Sequence, residues 1–378
     1  MLSSPLAWRF VAFVAVAGAV NALIVRESWN ARRAAFRLAL WLLVALAFEA
    51  LVRLAMPHAG RAVWPGYPAG LVVTDPVLGH AYQPGFSAAF PQQRYLHIPI
   101  RINAAGFRDA EWPSAPDDTL PRVATLGDSI TFGSPIAAEQ RYTDVLASLL
   151  AESGRPARVM NAGVNGYNVE QYRTLLEARG DGWRPRVVLV GLCQNDAEPL
   201  APVDAETIDA AAGRASLAAR LRPYRLDVGQ SYAYNVSRRI ALGRLYASPT
   251  WGPKLIARYD HKTQESLATL YTTGDGRERL RREMGAMRDL ARARWNAELA
   301  VVVFPYHSQI TSGRRELCDA ASAVLTELDI PHRNLFADFA AAANEPDLYV
   351  TNDDCHPSAL GHRITAKAAA ELVEPLLP

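Results

Sequence analysis

Two runs of the chain, Val187 to Leu192 and Ala300 to Phe304, contain no polar side chain. A strand with one face in water alternates apolar and polar residues. A strand covered on both faces reads as continuous apolar sequence. Val123 to Leu126 and Ala157 to Asn161 read as two further strands. Between the runs lie segments of helical period: Glu139 to Glu152, Val169 to Arg179, Asp275 to Glu298 and Arg315 to Leu328. A last helical run spans Ser358 to Leu377. Strands alternating with helices predict a parallel sheet with helices on both faces, a three-layer α/β/α domain.

Such sheets place ligands beyond the carboxyl ends of their strands. The first run ends abruptly in Gly127-Asp128-Ser129, and a helical pattern follows from near Ala138. Ser129 therefore stands in a turn at a strand's carboxyl end. A serine hydroxyl needs a base to become a nucleophile. Asp353-Asp354-Cys355-His356 supplies one just before the last helix. Asp353 and His356 are three residues apart, a spacing that sets a carboxylate against one imidazole nitrogen and leaves the other free. Asp354 is the neighbouring alternative. Asp128 is read as pinning its turn through backbone amides.

Gly127-Asp128-Ser129, Asn161-Ala162-Gly163-Val164-Asn165-Gly166-Tyr167-Asn168, Asn195-Asp196 and Asp353-x-x-His356 occur in that order across residues 122 to 378. Together they resemble the four blocks of the SGNH hydrolases, the GDSL-type esterases and lipases. The resemblance implies a flavodoxin-like parallel sheet and a carboxylic ester hydrolase that needs no cofactor or metal. It implies Ser129 as nucleophile, His356 as base and Asp353 as its orienter. It implies an oxyanion hole from the amides of Ser129 and Gly166 and the side chain of Asn195. Gly163 is then left to shape the turn. In one place the chain departs from the family pattern: Cys193 stands where a glycine usually precedes the Asn by two residues.

Three cysteines among 378 residues are too few for a disulfide framework. A single Cys318–Cys355 bridge and three unpaired thiols are both open. A net charge of +2 argues against nucleic acid as a partner.

Residues 1 to 56 read differently. Phe10 to Val25 and Leu38 to Phe48 are apolar runs flanking an arginine-rich loop, Arg26 to Arg33. Two transmembrane helices with that loop in the cytoplasm would leave the catalytic domain on the periplasmic side of a bacterial inner membrane. A signal peptide followed by an anchor gives the same side, whereas a single span through the first run, with the arginines after it, would hold the domain inside. Residues 57 to 121, rich in proline and glycine, are read as a β-rich collar. Similar lead-ins precede many membrane-attached bacterial members of the resembled family. In the collar, Arg108 is open to two readings: a reach to the site mouth or a structural ion pair. Residues 197 to 274 form an insertion carrying Trp251 and many tyrosines, Tyr271 among them. It is read either as a lid for sugar or lipid or as its own small core. His307 and His362 are read as packed histidines.

The substrate expected is an O-acyl, above all O-acetyl, ester on cell-envelope carbohydrate or glycolipid. A lipid esterase, an O-acyltransferase and a non-catalytic envelope assembly protein are the alternatives. No substrate-binding residue can be read from the sequence.

Overall fold

The computed structural model describes residues 39–41, 43–51, 70–89, 98–113, 119–134, 136–200, 250, 254, 264–272, 275–345, 347–350 and 355–378. The collar comes first, as two antiparallel pairs. β1 (Val72–Asp75) pairs with β2 (Gly79–Tyr82), and β3 (Ser87–Ala89) pairs with β4 (Pro99–Arg101).

The main sheet has five strands: β5 (Arg122–Gly127), β6 (Arg158–Asn161), β7 (Val187–Leu192), β8 (Glu298–Val303) and β9 (His332–Asn334). All pairs are parallel and the order is β6-β5-β7-β8-β9. Counted within the domain this is 2-1-3-4-5, the flavodoxin-like arrangement, and its order reverses beside β5. The crevice at that reversal lies where β5, β6 and β7 release their chains.

β5 and β7 are buried at every position, as continuous apolar runs require. One face of the sheet carries α2 (Tyr142–Glu152) packed on α8 (Ala359–Val373); the other carries α3 (Val169–Trp183), α4 (Asp275–Trp295) and α6 (Glu316–Glu327). α4 shows why these helices form. It is strongly charged, yet Leu280, Met284, Met287 and Ala291 recur at helical spacing and are buried, while its arginines face outward. Fully burying each such large side chain stabilises the fold by roughly 1.5–3 kcal/mol.

The structure corrects the sequence expectation in places. A helical turn, α1 (Ser129–Phe132), begins at the serine itself rather than near Ala138. Its cause is local: the Asp128 carboxylate accepts from the Ile130 amide at 2.8 Å and caps the turn, and Gly133, at φ 82°, ends it. β9 and two short helices, α5 (His307–Ser312) and α7 (Phe336–Ala341), are too short to show a period in sequence. Cys318 and Cys355 are not bridged, and all three thiols are free. Cys318 is buried, its sulfur held by the Gln194 side-chain amide at 2.9 Å.

Among the described residues no helix is long and apolar enough to cross a membrane. The run from Phe10 and the arginine-rich loop lie outside them. Of the second run, residues 39–41 and 43–48 are helical, and the helix goes on to residue 51, with Trp41, Leu43, Leu46 and Leu51 exposed. Most of the insertion also lies outside the described residues, Trp251 included. Its helical stem at 264–272 docks on the core: Tyr271 is buried and donates to the Gln194 carbonyl at 3.2 Å. This one tyrosine packs the core.

Candidate active site

Three turns meet at the carboxyl edge of the sheet, each released by one of three adjacent strands. α1 follows β5 and carries Ser129, half-buried at its first position. The glycine turn follows β6. A 3-10 turn, Gln194–Ala197, follows β7 and carries Asn195. His356 comes from the far end of the chain, just before α8, and its Nε2 lies 2.7 Å from Ser129 Oγ. For the serine to donate there, Nε2 must be unprotonated and Nδ1 must carry the hydrogen. The Cys355 sulfur lies 3.9 Å from that Nδ1. Asp353 and Asp354 lie outside the described residues.

Asp128 is buried beneath the serine. Burial pushes its carboxyl pKa up, against the bond from Ile130 and the nearby His356. Its Oδ2 is 3.3 Å from Ser129 Oγ, a longer and weaker alternative to the histidine. The Ser129 amide also faces this carboxylate.

The glycine turn is tied to α1 by its first residue. The Asn161 amide donates to the Thr131 carbonyl at 2.7 Å and to Thr143 Oγ1 at 2.9 Å, and its Oδ1 accepts from Gly163 N at 3.0 Å. Gly163 N–H is therefore spent within the turn. A β-carbon on Gly163 would stand 2.4 Å from Phe132 N and 2.6 Å from Thr131 C, so α1 can approach only a glycine. Gly163→Ala is expected to cost about 1–3 kcal/mol by overpacking, read as a lowered urea midpoint; an unchanged midpoint would count against this contact. Gly166 is the exposed member of the turn, at φ 76°. Its amide donates to no protein acceptor among the described residues.

The collar braces this turn. The Tyr82 hydroxyl accepts from Asn165 N at 2.9 Å, and His80 Nε2 donates to the Asn165 carbonyl at 3.0 Å. Tyr167 donates its hydroxyl to the His80 carbonyl at 2.6 Å. Asp109 accepts from Asn161 N at 2.9 Å and from Trp112 Nε1 at 2.7 Å. Arg108 fits neither reading made from sequence. Its guanidinium is buried and donates to the carbonyls of Phe132, Gly133 and Ile136 at 3.1, 2.7 and 2.8 Å. It thus satisfies the carboxyl end of α1, where helical carbonyls lack partners. Burial and the neighbouring Arg141 lower its pKa to about 9, which leaves it cationic at neutral pH.

On the other side, the Tyr306 hydroxyl donates to Asn195 Oδ1 at 2.9 Å. The Asp196 carboxylate closes the 3-10 turn by accepting from Cys193 N at 2.8 Å. Asn195 Nδ2 has no protein acceptor among the described residues. The arrangement combines a nucleophile and a base in contact with two neighbouring turns that each hold an unspent N–H donor. That constellation suits acyl transfer.

A model of the GDSL-like lipase/acylhydrolase family matches residues 125–364. The chain belongs to that family. It is a serine ester hydrolase, and the five-stranded parallel sheet is the fold expected of an SGNH hydrolase. Solved structures similar to this hydrolase include TesA, at 15% identity over 68% of this chain and 99% of that one, with a TM-score of 0.41. A lipase/acylhydrolase from Enterococcus faecalis is similar at 14% identity over 68% and 98%, TM-score 0.40. A mutant of Axe2, an acetylxylan esterase from Geobacillus stearothermophilus, is similar at 15% identity over 67% and 94%, TM-score 0.36. No curated protein matches the chain.

Among the described residues no three His, Cys, Asp or Glu side chains are grouped to hold a metal ion. The two other histidines singled out in the sequence are packed. His307 packs its ring edge-on against Tyr349 at 5.1 Å. His362 Nδ1 accepts from Tyr142 N at 3.0 Å and so takes the capping role at α2, whose Arg141 cap makes no side-chain cap bond. Sequence reasoning missed Tyr306, Tyr82 and Asp109 as supports of the site. Only the chain positions of two gave any signal. Tyr306 directly follows a buried strand, and Asp109 ends the Asn-x-x-Gly-Phe-Arg stretch.

Proposed function

We propose that this hydrolase removes O-acyl groups, acetyl above all, from cell-envelope carbohydrate or glycolipid, through a Ser129–His356–Asp353 mechanism. The observation that carries the reading is the 2.7 Å contact between Ser129 Oγ and His356 Nε2. His356 takes the serine proton as Oγ bonds to the ester carbonyl carbon. The carbonyl oxygen becomes an oxyanion held by the amides of Ser129 and Gly166 and by Asn195 Nδ2. His356 then gives its proton to the departing sugar oxygen as that carbon–oxygen bond breaks. Water, deprotonated by the same histidine, releases the acid and restores the serine. Asp353 keeps the imidazole oriented and stabilises its cation.

Support for an envelope substrate is the sequence before the collar. Apolar runs on either side of an arginine-rich loop would anchor the chain in the inner membrane with the site in the periplasm. The test is hydrolysis of p-nitrophenyl esters from two to twelve acyl carbons by the purified full chain, with acetate release from O-acetylated polysaccharide beside it. Fastest turnover at two carbons, with acetate released, is expected. A preference for eight or more carbons would replace the carbohydrate ester by a lipid ester. Acyl groups arriving on an added sugar rather than on water would make it a transferase. For topology, a carboxyl-terminal phosphatase reporter active only when exported is expected to be active; a silent reporter would overturn the periplasmic placement.

A further inference from the structure

An asparagine side chain has two ends of nearly equal size, and only one of them donates. If the amide of Asn195 rotated by half a turn, it would present a carbonyl lone pair to the oxyanion in place of an N–H. Something must hold one face forward. The Asn195 turn makes no such contact: Asp196 Oδ2 accepts from Cys193 N, and neither carboxylate oxygen bonds the Asn195 side chain. The polar contact on the Asn195 side chain comes from another strand, as the Tyr306 hydroxyl donates to Oδ1 at 2.9 Å.

We propose that Tyr306 is a positioning residue for ester hydrolysis, locking the Asn195 amide with Nδ2 turned outward as the oxyanion donor. The proposal rests on the reading of Asn195 as a member of the oxyanion hole.

Three features make Tyr306 suited to this. First, its backbone is tied to the same frame as Asn195. Tyr306 N donates to Gln309 Oε1 at 3.1 Å, and Gln309 Nε2 donates at 2.6 Å to Gln194 Oε1, on the residue just before Asn195. The backbones that carry the two side chains are thus tied through one buried glutamine pair. Second, the phenol gives its one hydrogen to Oδ1; with the amide turned round it would have to accept from Nδ2 and leave that hydrogen to a thiol sulfur, a far poorer acceptor, so the orientation with Oδ1 toward the phenol is favoured. Burial and the neighbouring thiols raise the phenol's pKa well above its ordinary value, so it stays a donor at working pH. Third, the Cys193 thiol lies against the Tyr306 hydroxyl. Cys193 is the residue that stands in place of the family's usual glycine. It puts a weakly polar thiol beside the phenol hydroxyl.

The experiment is a double-mutant cycle on the purified full chain with p-nitrophenyl acetate as probe: wild type, Asn195→Ala, Tyr306→Phe and the pair, each with its thermal midpoint. Removing an oxyanion donor lowers kcat by about 10²–10³-fold, and Asn195→Ala is expected to do so. Tyr306→Phe leaves the donor present but unheld, and is expected to lower kcat by about tenfold with KM unchanged. In the Asn195→Ala background Tyr306→Phe should have no further effect on kcat. A merely structural role would lower the midpoint and would persist in that background. p-Aminophenylalanine at position 306 keeps a donor of similar reach and should restore most of the rate; this arm also decides the matter if the Phe variant folds poorly. A normal loss in Asn195→Ala with a full additional loss in the pair would overturn the role of Tyr306 alone. A wild-type kcat in Asn195→Ala would overturn the donor assignment, and the proposal with it.

Discussion

Replacing Ser129 by alanine is expected to lower the turnover of p-nitrophenyl acetate by at least about 10⁴-fold and to abolish labelling by a fluorophosphonate, with the fold unchanged. The fold should survive because α1 does not depend on the serine side chain. Its first turn is capped by Asp128 through Ile130 N at 2.8 Å, and its far end is held by Arg108. Among the described residues the Ser129 hydroxyl bonds only to Asp128, at 3.3 Å, and to His356, at 2.7 Å. The loss therefore falls on chemistry. His356→Ala should cost about as much, and the pair little more than either alone, because nucleophile and base act as one unit. A Ser129→Ala protein retaining a hundredth of the wild-type rate would overturn the nucleophile assignment. So would a double variant whose losses multiply.

What was legible in the sequence divides by the range of the interactions. The sheet was legible because Val187 to Leu192 and the other runs each state their burial within a few consecutive residues. The nucleophile turn was legible because a strand that stops at Gly127-Asp128-Ser129 must turn there. The contacts that brace these elements join residues far apart, and no local period announces them. His362 meets Tyr142 across 220 positions, and Tyr306 meets Asn195 across 111. Arg108 shows the limit most clearly. An arginine read from sequence invites a carboxylate partner or an anionic substrate, yet its acceptors are backbone carbonyls at the end of α1, which no residue type encodes. The thiols show it too. Cys318 and Cys355 could be paired on paper, but Cys318 is enclosed with Gln194 and Gln309, while Cys355 lies beside His356 at the site.

His362 should make this hydrolase sensitive to acid. Its imidazole is fully buried between α8 and α2, stacked on Tyr142 with ring centroids 5.9 Å apart. Nδ1 accepts from Tyr142 N at 3.0 Å, which requires that nitrogen to be unprotonated, and Nε2 has no partner among the described residues. Burial, with His356, Arg141 and Arg108 nearby, drives its pKa down to about 3. In the unfolded chain the same ring takes its proton near pH 6.5. Between those values the unfolded state binds more protons than the folded one. Stability therefore rises with pH through this window and is lost as pH falls from about 6.5 toward 3. At about 1.4 kcal/mol per unit, the loss reaches on the order of 4–5 kcal/mol at the bottom of the window, a large share of a domain's typical stability. Buried carboxylates such as Asp128 also respond to acid, so the contribution must be read as a difference. His362→Asn places an amide oxygen where Nδ1 stood, able to accept from Tyr142 N without titrating. Urea unfolding of both proteins from pH 4 to 8 should give a wild-type stability that falls more steeply below pH 6, by close to one proton in slope. Parallel curves would mean that the buried imidazole accepts its proton without loosening the α2 cap.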